Sequence, residues 1–252
     1  MTLDLSPAAA PAPRAARIRR HALMEGSLLL RNGEQLLLAL VIPVGILVAG
    51  QVFGDRVGLD TRTFPASVLA LALWSTSFTS LAITTAFERR YGVLERLVAT
   101  PLTRGDLVAG KALAIAGIAA AQVLLLALIA VALGWRPIPT VPQTLVTGLA
   151  SGLALVTFAC LALALGGRLR AEATLASANL IYLVVAAGAG VLLPLGAYPA
   201  ALQPILGVLP FGALGETLRA WASGVTNAFT LLPLAVWAIL ALLLARKAFR
   251  WT

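Results

Sequence analysis

Reactive side chains are scarce in this sequence, which has one cysteine, Cys160, and one histidine, His21. A disulfide within the chain is therefore impossible, and a His/Cys metal site lacks ligands. Charge is thin as well: 12% of the 252 residues are Asp, Glu, Lys or Arg, against about 25% in soluble domains. The long apolar runs hold no carboxylate, which removes the usual acid–base and nucleophile sets of a membrane enzyme. They also lack the ionisable groups on which ion-coupled carriers usually depend, although backbone carbonyls at an unwound helix can still bind Na⁺. The start of the chain is not ordered like a secretion signal. A Pro/Ala tail, 1–13, expected to be disordered, precedes a basic cluster, and no small-residue cleavage site follows the first apolar run.

What remains is strongly apolar, with 60% hydrophobic residues and a mean hydropathy of +0.94. Six runs, 36–53, 64–86, 112–133, 144–167, 173–195 and 229–245, contain no Asp, Glu, Lys or Arg. Each reaches or approaches the ~20 residues that cross a bilayer as a helix. The fold class this implies is an all-α integral membrane protein, with 14–252 forming one six-span domain. Of the 19 Lys and Arg, fifteen fall in the N-terminal segment, the 87–111 and 168–172 connections and the C-terminal tail, and four in the alternate connections. By the positive-inside rule both termini are cytoplasmic. That placement accounts for the net charge of +9, so it does not call for a nucleic-acid partner. Seventeen of the 19 basic residues are Arg, and Ala and Leu are abundant. This points to a high-GC bacterial genome and so to a bacterial cell membrane.

Residues 105–112, GDLVAGKA, mimic the phosphate-binding pattern GxxxxGK[ST]. Ala112 stands where a hydroxyl must hold Mg²⁺, and Pro101 interrupts the segment where a strand should precede the loop. A different reading fits better. Val93, Leu94, Leu97 and Val98 recur at helical spacing, so a short amphipathic helix is expected to end before Pro101. Thr103 and Asp106 then resemble a capping box, and a new helix starts near Arg104. Gly105, Gly110 and Lys111 become the inner root of the third span, with Lys111 at the headgroup level. His21, among arginines, is expected to be solvated.

The stretch YGVLERLVATPLTRGDLVAGKAL resembles the inner connection between spans two and three in permeases of the type-2 ABC exporters. The matching residues are Glu88, Arg89, Gly92, Leu94, Glu95, Thr100, Pro101, Gly110 and Lys111; Arg90-Tyr91 departs where an acidic residue is frequent. A second match is LPFGALGETLRAWASG, through Pro210, Glu216, Leu218, Arg219 and Gly224. The resemblance implies an N-terminal amphipathic connecting helix, RIRRHALMEGSLLLRN, and a coupling helix that docks on a separate ATPase subunit through Glu88, Arg89, Tyr91, Gly92, Leu94, Glu95, Leu97, Val98 and Pro101. It also implies short helices in the outer leaflet, with Pro210, Glu216 and Arg219 as outer-gate candidates. ATP and Mg²⁺ would be held by the partner, with no cofactor in this chain. A second permease, identical or related, would complete the assembly.

Local readings stay open beside the resemblance. The stripe of the coupling helix can seat in a partner groove or lie on the membrane surface. The hydroxyl-rich WSTSFTSLAITT of span two can pack helices or line a cavity. In the family, spans two and five line the central path, which makes Trp74, Ser77, Phe78, Thr84, Asn179 and Tyr182 candidates to contact a cargo. Gln122 reads as an interhelical hydrogen bond, Glu216–Arg219 as an exposed local ion pair, and the glycines of spans four and five as packing or hinge points. The function this supports is ATP-driven export of a hydrophobic or amphipathic small molecule such as a drug, antibiotic or lipid-like compound. Alternatives are an ion-coupled carrier, or ABC export of a polysaccharide, lipid or haem.

Overall fold

The computed structural model describes residues 12–31 and 33–248, without the side chains of 34–39, 98, 104 and 248. Nearly all of the expected tail 1–13 lies outside the described residues. Among the described residues there are helices and no strands. In order they are α1 (Arg14–Arg31), α2 (Gly33–Phe53), α3 (Phe64–Trp74), a π-turn (Ser75–Ser80), α4 (Leu81–Arg90), α5 (Val93–Val98), α6 (Arg104–Ala132), α7 (Val141–Gly166), α8 (Ala171–Gly188), α9 (Gln203–Val208), α10 (Pro210–Ser223) and α11 (Leu231–Ala248). Short 3-10 turns follow α2 and precede α9.

Among the described residues, five helical segments are long and apolar enough to cross a membrane: Leu40–Val57, Phe64–Arg90, Gly105–Ala132, Val141–Gly166 and Ala171–Gly188. Leu124, Leu128, Leu145, Leu149, Leu180 and Leu183 point outward and are exposed. Apolar surface repeated on this scale is what lipid covers and water does not tolerate. The chain is a multi-pass membrane protein.

The rod α3–π–α4 is the axis of the bundle. Every residue of α3 is buried, and α2, α6, α7, α8 and α10 all pack on the rod. A helix apolar on all sides belongs in such a central position. Close approach depends on small residues: a Cβ at Gly166 would lie 2.5 Å from the Ala82 carbonyl oxygen and 3.3 Å from Thr85 Cβ. This glycine of span four therefore serves packing. Interhelical bonding is local and specific, since the Thr76 hydroxyl donates to Gln122 Oε1 on α6.

The structure corrects the expected fifth run, 173–195, because α8 stops at Gly188. Gly190 has φ +74°, a left-handed conformation that favours glycine. The carbonyls freed beyond the helix end are bound by one side chain. Arg219 Nη2 donates to the Gly190 oxygen and Nη1 to the Val191 oxygen, both at 2.8 Å. Nη1 also donates to Ser67 Oγ on α3 at 2.9 Å, and Nη2 to Glu216 Oε1 at 2.8 Å. Glu216 Oε1 in turn accepts from the Leu195 amide at 2.9 Å. Arg219 is only 4% exposed, so the expected exposed pair is in fact a buried staple joining α10, α3 and the chain after α8. Pro210, also buried, opens α10.

Arg219→Leu removes four hydrogen bonds and strands Glu216, a loss of about 3–5 kcal/mol by the measure of broken buried pairs. The apparent melting temperature in detergent should fall sharply. Arg219→Lys, a point charge that cannot fork across these acceptors, should recover only part of the loss. An unchanged melting temperature in Arg219→Leu would show that the staple does not hold the fold.

Candidate functional site

The inner root of α6 is organised by its cap. Thr103 Oγ1 accepts from the Asp106 amide at 3.2 Å, and Asp106 Oδ2 accepts from the Thr103 amide at 3.3 Å, a reciprocal capping box. The same carboxylate takes Arg14 Nε and Arg17 Nη2, each at 2.8 Å. These contacts lay α1 along α6. One turn on, the His21 ring sits so close over Gly110 that no Cβ fits between them. The GxxxxGK letters thus form a helix start that another helix docks against.

That docking buries charge. Lys111 Nζ lies 2.9 Å from Glu25 Oε1 on α1, and 2.8 Å and 2.6 Å from the two carboxylate oxygens of Glu88 on α4. His21 Nε2 is 3.5 Å from Glu25 Oε1. Lys111 is 1% exposed and His21 3%, so Lys111 is enclosed by protein and His21 is not solvated as expected. Burial pushes the His21 pKa below its usual value; Glu25 opposes that and Lys111 reinforces it. The balance favours the neutral imidazole. The sequence did carry a signal that went unused. Arg14, Arg17, His21 and Glu25 are spaced three, four and four apart, one face of a helix.

Beside this cluster lies a cavity of about 720 Å³ between α1, α2, the rod and α8. It is lined by Ser75, Thr79, Ser80 and Thr84 of the rod, with Asn179 and Tyr182 from α8 and the acidic residues Glu25 and Glu88. Thr84, Asn179 and Tyr182 are thus brought together as expected. Trp74, Ser77 and Phe78 are not on this wall. Trp74 stacks on Phe78 with ring centroids 4.3 Å apart and meets Phe158 and Phe211 edge-on at 4.9 and 4.6 Å. The Ser77 hydroxyl donates back to the Leu73 carbonyl. The physical reason is the π-turn, which widens one turn of the rod and shifts the phase of residues on either side of it. The stripe Thr76, Ser80, Thr84 therefore divides, Thr76 joining α6 and Thr84 lining the cavity.

The turn into α5 is made by Gly92 at φ +67°. Leu94 is 0% exposed and packs on Leu107 of α6, with Leu97 partly buried on the same contact. Leu94 is thus satisfied within the chain, while Val93 and Leu97 stay partly exposed. Glu88 faces Lys111. Arg89 donates to the Leu169 carbonyl, and Arg90 pairs with Glu172 at the start of α8. Tyr91, Glu95 and Pro101 face outward, as does Arg96, which the sequence reading had not singled out. The side chain of Val98 lies outside the described residues.

Lys111→Met leaves two buried carboxylates without their shared cation, a loss of about 3–5 kcal/mol. Adding Glu25→Gln and Glu88→Gln to Lys111→Met should restore much of the apparent melting temperature. A triple variant no more stable than the single one would place the loss elsewhere. A family model described as ABC-2 family transporter protein matches residues 56–247. None of the curated proteins matches the chain.

Proposed function

The chain belongs to the ABC-2 family of transporter proteins, and we propose that it carries cargo out of the cell with ATP hydrolysed by a separate subunit. Chains of this family are membrane subunits that move cargo and do not themselves catalyse, and they generally work with an ATPase subunit. The observation that carries the proposal is the position of the cavity. It is walled by α4 and lies beside the Lys111 cluster, and α4 runs directly into the outward-facing turn at Tyr91 and α5. Movement imposed on α5 passes to the cavity wall through α4 and to α1 and α6 through Lys111.

In this reading ATP and Mg²⁺ sit in the partner, which grips Tyr91, Glu95, Arg96 and Pro101. A second permease copy, identical or related, closes the cavity along α8. The α11 helix is the sixth crossing, both termini are cytoplasmic, and the membrane is a bacterial inner membrane. The Arg219 staple is the contact that parts when the outer end opens. A cavity of about 720 Å³ suits a drug-sized amphipathic molecule better than a polysaccharide.

One observation favours a second reading. The rod continues to Arg90 and α6 begins at Arg104, so Glu88 and Lys111 fall within membrane-crossing segments. A titratable group in such a place is what an ion-coupled carrier uses. Uptake into inverted vesicles separates the two readings: the ATP-driven one needs nucleotide and survives collapse of the proton gradient.

Glu95→Lys together with Tyr91→Ala should lower co-purification of the ATPase subunit at least about tenfold, with membrane insertion unchanged. Normal ATP-driven efflux in that variant would reject α5 as the docking element. Leu94→Asp is a poor probe because it charges a buried contact. Cys160 is buried, so Thr100→Cys offers a clean label. An impermeant maleimide should reach it in inverted vesicles and not in intact cells.

A further inference from the structure

The cavity wall carries charge of one sign. Among the described lining residues there are two carboxylates, Glu25 and Glu88, and no Lys or Arg. Lys111 joins both carboxylates from behind, with its side chain fully enclosed, and does not reach the wall. His21 is not among the lining residues. Two carboxylates share one ammonium, so when both are ionised one negative charge stands uncompensated at the edge of an apolar space. Leaving a charge there unpaired is costly.

Thr79 and Thr84 also line the cavity, but their hydroxyl oxygens are enclosed by protein and do not face it. Phe87 and Tyr182 also line the wall and present aromatic rings. Carboxylates and aromatic rings around an otherwise aliphatic wall suit one chemistry: an apolar body bearing a positive centre.

We propose that the cavity between α1, α4 and α8 binds an organic cation, its positive centre at Glu88 and Glu25 and its apolar body against Leu28, Leu29 and Ile83. This rests on the reading of the cavity as the cargo site and narrows the cargo from amphipathic molecules in general to cationic ones. A neutral guest leaves the charge uncompensated, and an anionic guest is repelled. Lys111 is then a positioning residue, holding both carboxylates in place while leaving their outer sides to the guest.

Tetraphenylphosphonium and tetraphenylborate have nearly the same size and shape and opposite charge, so together they isolate the sign of the site. Equilibrium dialysis of the full chain in detergent, with partition into empty micelles subtracted, should show saturable binding of the phosphonium and none of the borate. Glu88→Gln should weaken phosphonium binding about tenfold or more, as expected for loss of one nearby charge in a partly shielded site. Asn179→Lys, which adds a cation to the wall without touching the buried cluster, should weaken it similarly and admit the borate. Gel filtration and melting curves identify folded variants, and Asn179→Lys decides the matter if Glu88→Gln fails to fold. Equal binding of both ions by the unaltered protein would overturn the proposal, as would phosphonium binding unchanged in a folded variant. The assay contains neither ATP nor an ATPase. Failure to find an ATPase partner would therefore sink the exporter reading alone, and loss of charge preference would sink this one alone.

Discussion

The ammonium of Lys111 is the point on which the inner half of the molecule converges. It sits between a carboxylate of α1 and a carboxylate of α4, and it belongs to α6. Three elements far apart in sequence are bound by one ion in a place water does not reach. Such pairs contribute little net stability once desolvation is counted, but they penalise any arrangement that separates them. The cluster therefore fixes geometry: α1 cannot slide along α6, and the end of α4 cannot swing, without exposing or stranding charge.

The rest of the inner end is arranged around that constraint. The capping box at Thr103 starts α6 at the right residue, and Asp106 uses its remaining capacity to hold Arg14 and Arg17. The bare backbone at Gly110 lets His21 settle on α6. Leu94 then closes over Leu107, so α5 is packed on α6 rather than hanging free. The chain thereby presents a preformed outward edge at Tyr91, Glu95 and Pro101 whose position is tied to the cavity wall.

Much of this was legible in the sequence, and the exceptions have physical causes. Apolar runs without charge found the crossing helices, because burying an ionised group in lipid is too expensive to be accidental. Thr103 and Asp106 marked the start of α6, because capping is local and depends on three-residue spacing. Gln122 was read as an interhelical bond and meets Thr76. What could not be seen were phase and partner. The π-turn at Ser75–Ser80 leaves no clear mark in the residue pattern, yet it decides that Thr84 lines the cavity while Trp74 and Phe78 face the core. Glu25 and Glu88 were hidden as a pair, because 63 residues of sequence separate them and only the docking of α1 brings them to one lysine. The length of span five was overstated because hydropathy does not register a left-handed glycine.

The early end of α8 has a consequence for the membrane itself. Backbone groups past Gly188 have no helix to bond to, and any that meet the apolar interior of a bilayer find no water there. At Gly190 and Val191 the Arg219 guanidinium takes the place of that missing water. A single side chain thus satisfies an interrupted helix, and the chain after α8 needs no water to close its turn.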